Sequence, residues 1–272
     1  TLFCSAIFMP LILLSQYTHV LDSCIFHVGA GGWEMHRWII LKSIIVLLSW
    51  VFGYFAIAQL PLTIVGPINA TRPVMTLVGA MLVFGERLNA WQWVGVSLAI
   101  ISLFLLARSG KREGIDFKHN KWILFLVLAA MMGTCSGLLD KYLMASPENG
   151  GVGLDRMMAQ SWYNIYQCIM MGVVLLVYIF NQRKKAERTA HFSWKWSILL
   201  ISIFLSMADF AYFYALSLPG AMISIVSMVR RGSVLVSFLC GALLFREKNL
   251  KAKAIDLCFV LLGMIFLWIG SR

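Results

Sequence analysis

The sequence predicts an all-α membrane protein built from two inverted helical repeats, and three observations support this fold class. Apolar residues make up 60% of the 272 residues and charged residues only 13%, with a mean hydropathy of +0.82. Apolar runs of about 20 residues, the length of a bilayer-crossing helix, recur throughout the chain. A long apolar run ending in a short charged segment occurs twice, at 64–88 and at 225–249, a shift of 161 residues. This composition excludes a single soluble core.

The apolar runs predict nine crossings, each helical because no water satisfies the backbone inside a bilayer. They lie near Thr1 to Tyr17, Trp38 to Leu60, Leu62 to Phe84, Leu88 to Ala107, Trp122 to Tyr142, Met157 to Gln182, Trp196 to Ser217, Ala221 to Phe245 and Ala254 to Gly270. The first of these crossings is marginal in length.

The crossings divide into an N-terminal repeat at 1–110 with about four spans and a C-terminal repeat at 111–272 with five. Five is odd, so the two copies enter the membrane from opposite faces and are related by an axis in its plane. The first copy has one span fewer, and the chain begins at Thr1 without an initiator methionine. We therefore expect that a first helix is missing from this chain and that the complete bundle has ten helices.

A charged segment follows each repeated apolar run, with Gly-Glu-Arg-Leu at 85–88 and Arg-Glu-Lys at 246–248. With the five-plus-five arrangement, these segments make the whole chain resemble the EamA branch of the drug/metabolite transporter superfamily. The resemblance implies a ten-helix bundle with a central cavity and alternating access. Relatives include amino-acid and metabolite exporters, sugar-phosphate antiporters and nucleotide-sugar carriers, so the resemblance does not select a substrate. Arg246 departs from the pattern, since the first copy has Gly85 there.

Three arginines lie inside predicted spans, where an ionisable group persists only beside a cavity, a partner or water. Arg72 is about halfway along its span, and Arg230 and Arg231 are near the middle of the equivalent span of the second copy. Because a guanidinium fork suits phosphate or carboxylate, we expect these arginines to bind an anionic or zwitterionic substrate. The alternatives are an internal ion pair with Asp209 and snorkelling to the membrane interface.

The backbone around Arg72 is expected to be irregular. Asn69 lies three residues earlier, a spacing that places both side chains on one helical face. Pro67 and Pro73 each remove a backbone donor, so the segment from Gly66 to Pro73 predicts an interrupted helix of the kind that forms transport sites.

Asp209 is a candidate for proton coupling. Its apolar neighbours Ala208, Phe210 and Ala211 disfavour the ionised carboxylate, which could then carry a proton during the cycle. The alternative is a permanently ionised partner of an arginine.

Aromatic and amide residues are expected to line the walls of a substrate pocket. These residues are Trp50, Tyr54, Tyr163, Asn164 and Tyr212, with Gln167 on the same helix as Tyr163. The alternative for tryptophan and tyrosine is an interfacial belt, which we favour for the tryptophans near span ends. Gly133 and Gly137, four residues apart, are expected to allow close packing of helices within the bundle.

No cofactor or metal is expected. Asp22, Cys24 and His27 share one loop, but their spacing matches no closed metal site. No Walker loop, dinucleotide fingerprint or nucleophile triad occurs, which disfavours an enzyme and transport driven by ATP on this chain.

The net charge of +11 lies mainly in loops between spans and does not indicate nucleic-acid binding. Fourteen of the 23 lysines and arginines fall in loops on one face, which the positive-inside rule makes cytoplasmic, leaving the C-terminus outside. The family resemblance implies the opposite, with both ends cytoplasmic. Both orientations remain open.

These observations predict a secondary active transporter of a small polar or anionic metabolite, such as an amino acid, with export favoured by family analogy. One alternative is an exchanger of phosphorylated or nucleotide-linked metabolites, and another is a lipid flippase or a membrane scaffold. The expected partners are the substrate, membrane lipids, and protons or a counter-substrate. A monomer or weak homodimer in a bacterial inner membrane is expected.

Overall fold

The protein is helical in every regular element that its computed structural model describes. The described residues are 1–21, 24–61, 64–65, 68–69, 71–84, 89–112, 120–184, 196–218, 223, 226, 230 and 250–270. They contain eight α-helices: α1 (Leu2–Tyr17), α2 (Trp33–Ile57), α3 (Arg72–Phe84), α4 (Ala90–Arg112), α5 (Lys121–Met144), α6 (Arg156–Lys184), α7 (Trp196–Ser217) and α8 (Leu250–Gly270). The predicted all-α class is confirmed for these residues, and the inverted repeat stays a prediction.

Four of these helices are long and apolar enough to cross a bilayer, which confirms a multi-pass membrane protein. They are α2, α5, α7 and the part of α6 at Arg156–Phe180. Helix α1 and the apolar parts of α3, α4 and α8 are shorter. Most of the crossing predicted at 221–245 lies outside the described residues.

The helical backbone is interrupted just before α3. Thr71 lies in a turn, where its Oγ1 donates a hydrogen bond of 2.7 Å to the carbonyl of Ile68. Helix α3 then begins at Arg72, with Pro73 in its first turn, where a missing N–H removes no helical hydrogen bond. Arg72 is therefore at the start of a helix rather than halfway along its predicted span. The turn falls within the segment predicted to be interrupted.

The described chain forms two compact units. Unit 1 comprises residues 1–47 and 142–218, and thus holds α1, the first part of α2, α6 and α7. Helix α1 packs against both α6 and α7, which also contact each other. Polar atoms join these helices, since Ser5 Oγ of α1 donates to the carbonyl of Asn164 at 2.8 Å.

Unit 2 comprises residues 48–141 and 219–272. Helices α4 and α8 pack along each other, and the rings of Trp91 and Phe266 stack with centroids 5.9 Å apart. The end of α2, the segment after it and the start of α5 form an apolar cluster. Its buried members are Ala56, Leu60, Ile64, Val65, Ile68, Ile123 and Leu126. Both units take residues from both predicted repeats, and the repeat boundary at residue 110 stays a prediction.

A tight connection joins α5 to α6 through backbone hydrogen bonds. Gly153 N–H donates to the carbonyl of Ala145 at 2.8 Å, and Leu154 N–H to that of Leu143 at 2.7 Å. Gly153 has a φ of +67°, in the left-handed region that costs other residues energy. A Cβ there would also lie 2.9 Å from Cδ of Pro147. The connection therefore requires glycine at this position.

Gly153→Ala is expected to lower the free energy of unfolding by about 1–2 kcal/mol, because alanine resists a positive φ. Gly172→Ala in α6 is the control, since a Cβ added at Gly172 would meet no atom within 4 Å. That control should raise stability by roughly 0.5–1 kcal/mol through better helix propensity. Denaturant unfolding in detergent micelles measures both changes, and equal effects of the two substitutions would contradict the strain at Gly153.

Candidate functional site

The guanidinium of Arg72 is held inside unit 2 by the backbone of α5. Its Nη2 donates a hydrogen bond of 3.2 Å to the carbonyl of Ala129, which also accepts one of 2.8 Å from Ser49 Oγ. Gly133 follows one turn later, and a Cβ there would lie 2.6 Å from Nη1 of Arg72. The missing side chain of Gly133 therefore makes room for the guanidinium. The sequence predicts only close helix packing for this glycine.

Arg72 is not fully satisfied by these contacts. Its Nε is buried with no hydrogen-bond partner, as are Oδ1 of Asn69 and Oγ1 of Thr134 in the same unit. The positive charge of Arg230, which is exposed, acts on Arg72. Two cations in one membrane unit repel each other, and an anion close to both would lower that repulsion. Arg231 lies outside the described residues.

Trp50 and Tyr54 lie in the part of α2 that belongs to unit 2. Trp50 is 40% exposed and Tyr54 is 71% exposed, with the Tyr54 ring 5.8 Å from that of Phe55. In a membrane, the exposed surfaces of these two side chains face either lipid or a cavity. Their role in binding stays a prediction.

Unit 1 contains a buried polar face on α6, formed by Gln160, Tyr163, Asn164 and Gln167. The spacing i, i+3, i+4 and i+7 places the four side chains on one side of the helix. All four are buried. Gln160 Nε2 donates a hydrogen bond of 3.1 Å to the carbonyl of Ser206 in α7. Asn164 Nδ2 donates a hydrogen bond of 2.9 Å to the carbonyl of Gln160. This polar face of α6 includes two of the predicted site residues, Tyr163 and Asn164.

Several polar atoms on and beside this face have no partner. They are Oε1 of Gln160, both amide atoms of Gln167, and the hydroxyls of Ser161 and Ser206. Each unsatisfied buried polar group costs about 1–3 kcal/mol. A cluster of such atoms in an apolar protein makes this face a candidate site for binding polar groups.

Lys42 is a buried cation that sequence analysis did not select. It lies on α2 and is 3% exposed, with Nζ 4.0 Å from the ring centroid of Phe213 and 4.8 Å from that of Tyr163. Both distances fit cation–π attraction, which strengthens when the cation is removed from water. Lys42 therefore joins the polar face of α6 to α7.

Lys42 was missed because the span containing it was predicted to begin at Trp38, which placed the lysine near the membrane surface. The helix begins at Trp33, so Lys42 lies in its third turn, where it is buried by the packing of unit 1. Gly31 and Gly32 before Trp33, with Glu34 in the first turn, are the sequence signals for that earlier start.

The remaining predicted residues of unit 1 are on α7. Tyr212 is buried, with its ring 5.3 Å from that of Phe213, and Asp209 is half-buried one turn earlier. Unit 1 thus contains Tyr163, Asn164 and Tyr212 together with Lys42, and unit 2 contains Asn69, Arg72 and Arg230. Within the ranges that the structure covers, no three His, Cys, Asp or Glu residues are placed to hold a metal ion.

The described helices thus define a multi-pass helical membrane protein that buries two basic side chains, Lys42 and Arg72. Residues 1–108 match the EamA-like transporter family, a family of the drug/metabolite transporter superfamily. The match confirms the predicted resemblance over these residues. The matched family is one of membrane transporters, and the match covers 108 of the 272 residues. No curated protein sequence matches the chain.

Proposed function

We propose that the protein is a secondary active transporter that carries a small polar or anionic metabolite, such as an amino acid, by alternating access. The observation that carries the proposal is the guanidinium of Arg72, held in a membrane unit beside a second cation, Arg230, with Nε unpartnered. A carboxylate or phosphate can accept hydrogen bonds from the guanidinium N–H groups. Its negative charge also offsets the repulsion between the two arginines.

Two further elements of the proposal rest on the sequence, and a third rests on family analogy. The inverted repeats support rocking of two halves around a site near the membrane midplane. Asp209 is the candidate for carrying a coupling proton. Export across a bacterial inner membrane rests on family analogy alone.

The test is transport by Arg72→Gln in proteoliposomes. Glutamine keeps much of the side-chain length but removes the charge and the fork, so transport of labelled amino acids and dicarboxylates is expected to fall at least about 10-fold, the loss of one charged hydrogen bond. Arg37→Gln is the matched control, because Arg37 is exposed at the start of α2 and paired with Glu34. Transport by Arg72→Gln equal to that of the control would exclude the proposed site.

A second candidate function is obligatory exchange of phosphorylated compounds. The presence of a second arginine, Arg230, close enough to act on Arg72 favours it. Phosphate carries more charge than carboxylate and suits two guanidinium groups. Transport that requires a counter-substrate inside the proteoliposomes would select the exchanger, whereas uptake into empty vesicles would exclude it.

A further inference from the structure

We propose that unit 1 holds a second binding position, formed by Lys42 and the polar face of α6, for a small carboxylate that also carries N–H or O–H donors. The inference rests on the proposed function only in taking this ligand to be the transported compound. The position involves residues of α2, α6 and α7 that all belong to unit 1.

Two buried glutamines on the polar face of α6 have amide atoms without hydrogen-bond partners. Gln167 is 1% exposed, and neither its Oε1 nor its Nε2 has a hydrogen-bond partner. Gln160 uses its Nε2 on the carbonyl of Ser206, while its Oε1 has none. Glutamine is costly to bury in this way, and leucine fills a similar volume without unsatisfied atoms. Two such residues at i and i+7 on one face indicate a surface shaped for hydrogen bonding to a ligand.

Lys42 places a positive charge beside the polar face of α6. The rings of Phe213 and Tyr163 hold its ammonium at a fixed place beside the polar face of α6, since Tyr163 is itself part of that face. Aromatic rings stabilise an ammonium without removing its charge. The ammonium therefore stays charged beside the polar face of α6.

The chemistry of the ligand follows from these groups. An ammonium recognises a carboxylate, and unoccupied amide oxygens of Gln160 and Gln167 accept hydrogen bonds from ammonium or hydroxyl groups of a ligand. The unpartnered Nε2 of Gln167 adds one donor for a second oxygen. A small hydroxy or amino acid carries this combination, whereas an unsubstituted dicarboxylate has acceptors only.

The face is closed in this structure, because the side chains that form it are buried. A transporter that works by alternating access opens its site to each side in turn and passes through closed states. Closure therefore fits a position that takes its ligand in another state of the cycle.

The experiment measures binding of four probes to the purified full chain in phospholipid nanodiscs by titration calorimetry. L-Malate and L-glutamate are expected to bind more tightly than succinate, which lacks the donors, and succinamide, which lacks the charge, is expected to bind weakest. Absence of binding by all four probes, or equal affinity for succinamide and malate, would overturn the assigned chemistry.

Lys42→Met tests the cation. Methionine keeps an unbranched chain but no charge, so the affinity for malate should fall about 10- to 100-fold, the range for one charged hydrogen bond. Lys121→Met is the matched control, because Lys121 is an exposed lysine at the start of α5 with the same kind of contact, Nζ 4.7 Å from the Trp122 ring. Equal losses in both variants would overturn the role of Lys42.

Gln167→Leu separates binding from folding. A residue retained only for structure should lose stability on substitution, whereas removal of two unsatisfied atoms should leave the Tm unchanged or raise it while malate affinity falls at least about 5-fold. Unchanged affinity in Gln167→Leu overturns the proposal even if Lys42→Met fails to reach the membrane.

The two proposals fail separately. If Arg72→Gln stops transport while Lys42→Met and Gln167→Leu bind and transport like the unchanged protein, the transporter stands and the second position falls. If malate binding depends on Lys42 but proteoliposomes carry none of the probes, the second position stands and the proposed transport falls.

Discussion

Gly133→Ala is expected to lower transport about as much as Arg72→Gln does, although it adds a single methyl group to a different helix. The new Cβ would lie 2.6 Å from Nη1 and 2.9 Å from Cζ of Arg72. Carbon and nitrogen atoms do not approach that closely without repulsion, so the guanidinium must move. The hydrogen bond from Nη2 to the carbonyl of Ala129 is then lost or lengthened.

The expected magnitude follows from the lost contact. A hydrogen bond from a charged donor contributes about 1.5–3 kcal/mol, which corresponds to roughly 10- to 150-fold in affinity for an anion that the guanidinium positions. Initial rates of labelled substrate uptake in proteoliposomes, measured over a range of concentrations, report this change.

Gly53→Ala is the matched control because it adds the same methyl group in the same unit. A Cβ at Gly53 would lie 3.7 Å from Cβ of Ala129, an ordinary van der Waals distance. This variant should therefore transport normally and gain up to about 1 kcal/mol in stability from helix propensity. Normal transport by Gly133→Ala would mean that Arg72 does not need the position it has in this structure.

Phe213→Ala is expected to destabilise the protein by about 3–5 kcal/mol, the usual cost of truncating a buried phenylalanine. Phe213 is almost fully buried in unit 1, and its ring lies beneath the ammonium of Lys42. The substitution leaves a cavity in the packing and also removes one of the two rings that stabilise the buried charge. Denaturant or thermal unfolding in micelles measures the loss.

Phe204→Ala on the same helix separates burial from residue type. Phe204 is 66% exposed, so its truncation should change the unfolding free energy by no more than about 0.5 kcal/mol. A double-mutant cycle with Lys42→Met isolates the cation–π part, expected at roughly 0.5–2 kcal/mol. Zero coupling would show that the ring supports Lys42 by packing alone.

The helices were predictable because a bilayer imposes a simple rule. Apolar runs of sufficient length must become helices, and the ends of α1, α6 and α7 agree with the predicted spans to within two residues. Helix starts were less certain where glycine and charged residues precede the apolar run, as at Trp33, because hydropathy alone does not detect the first turn. Lys42, predicted near the surface, is buried because the rings of Tyr163 and Phe213 pack against it.

The candidate site was predictable in part. Arg72 was selected because an arginine in an apolar run is costly unless it has a function or a partner. Gly133 was assigned to helix packing, since no sequence pattern relates a glycine at 133 to an arginine at 72. The polar spacing on α6 was visible, but its buried and unsatisfied state depends on which helices cover it.

The sequence by itself determined the membrane class, the helical segments and the presence of cations inside them, because these follow from hydropathy along the chain. The tertiary structure alone decided which side chains meet. It placed Gly133, which has no side chain, against the guanidinium of Arg72. It also placed the rings of Tyr163 and Phe213 against the ammonium of Lys42. Such contacts depend on helix rotation and tilt, which packing between helices sets and local sequence does not.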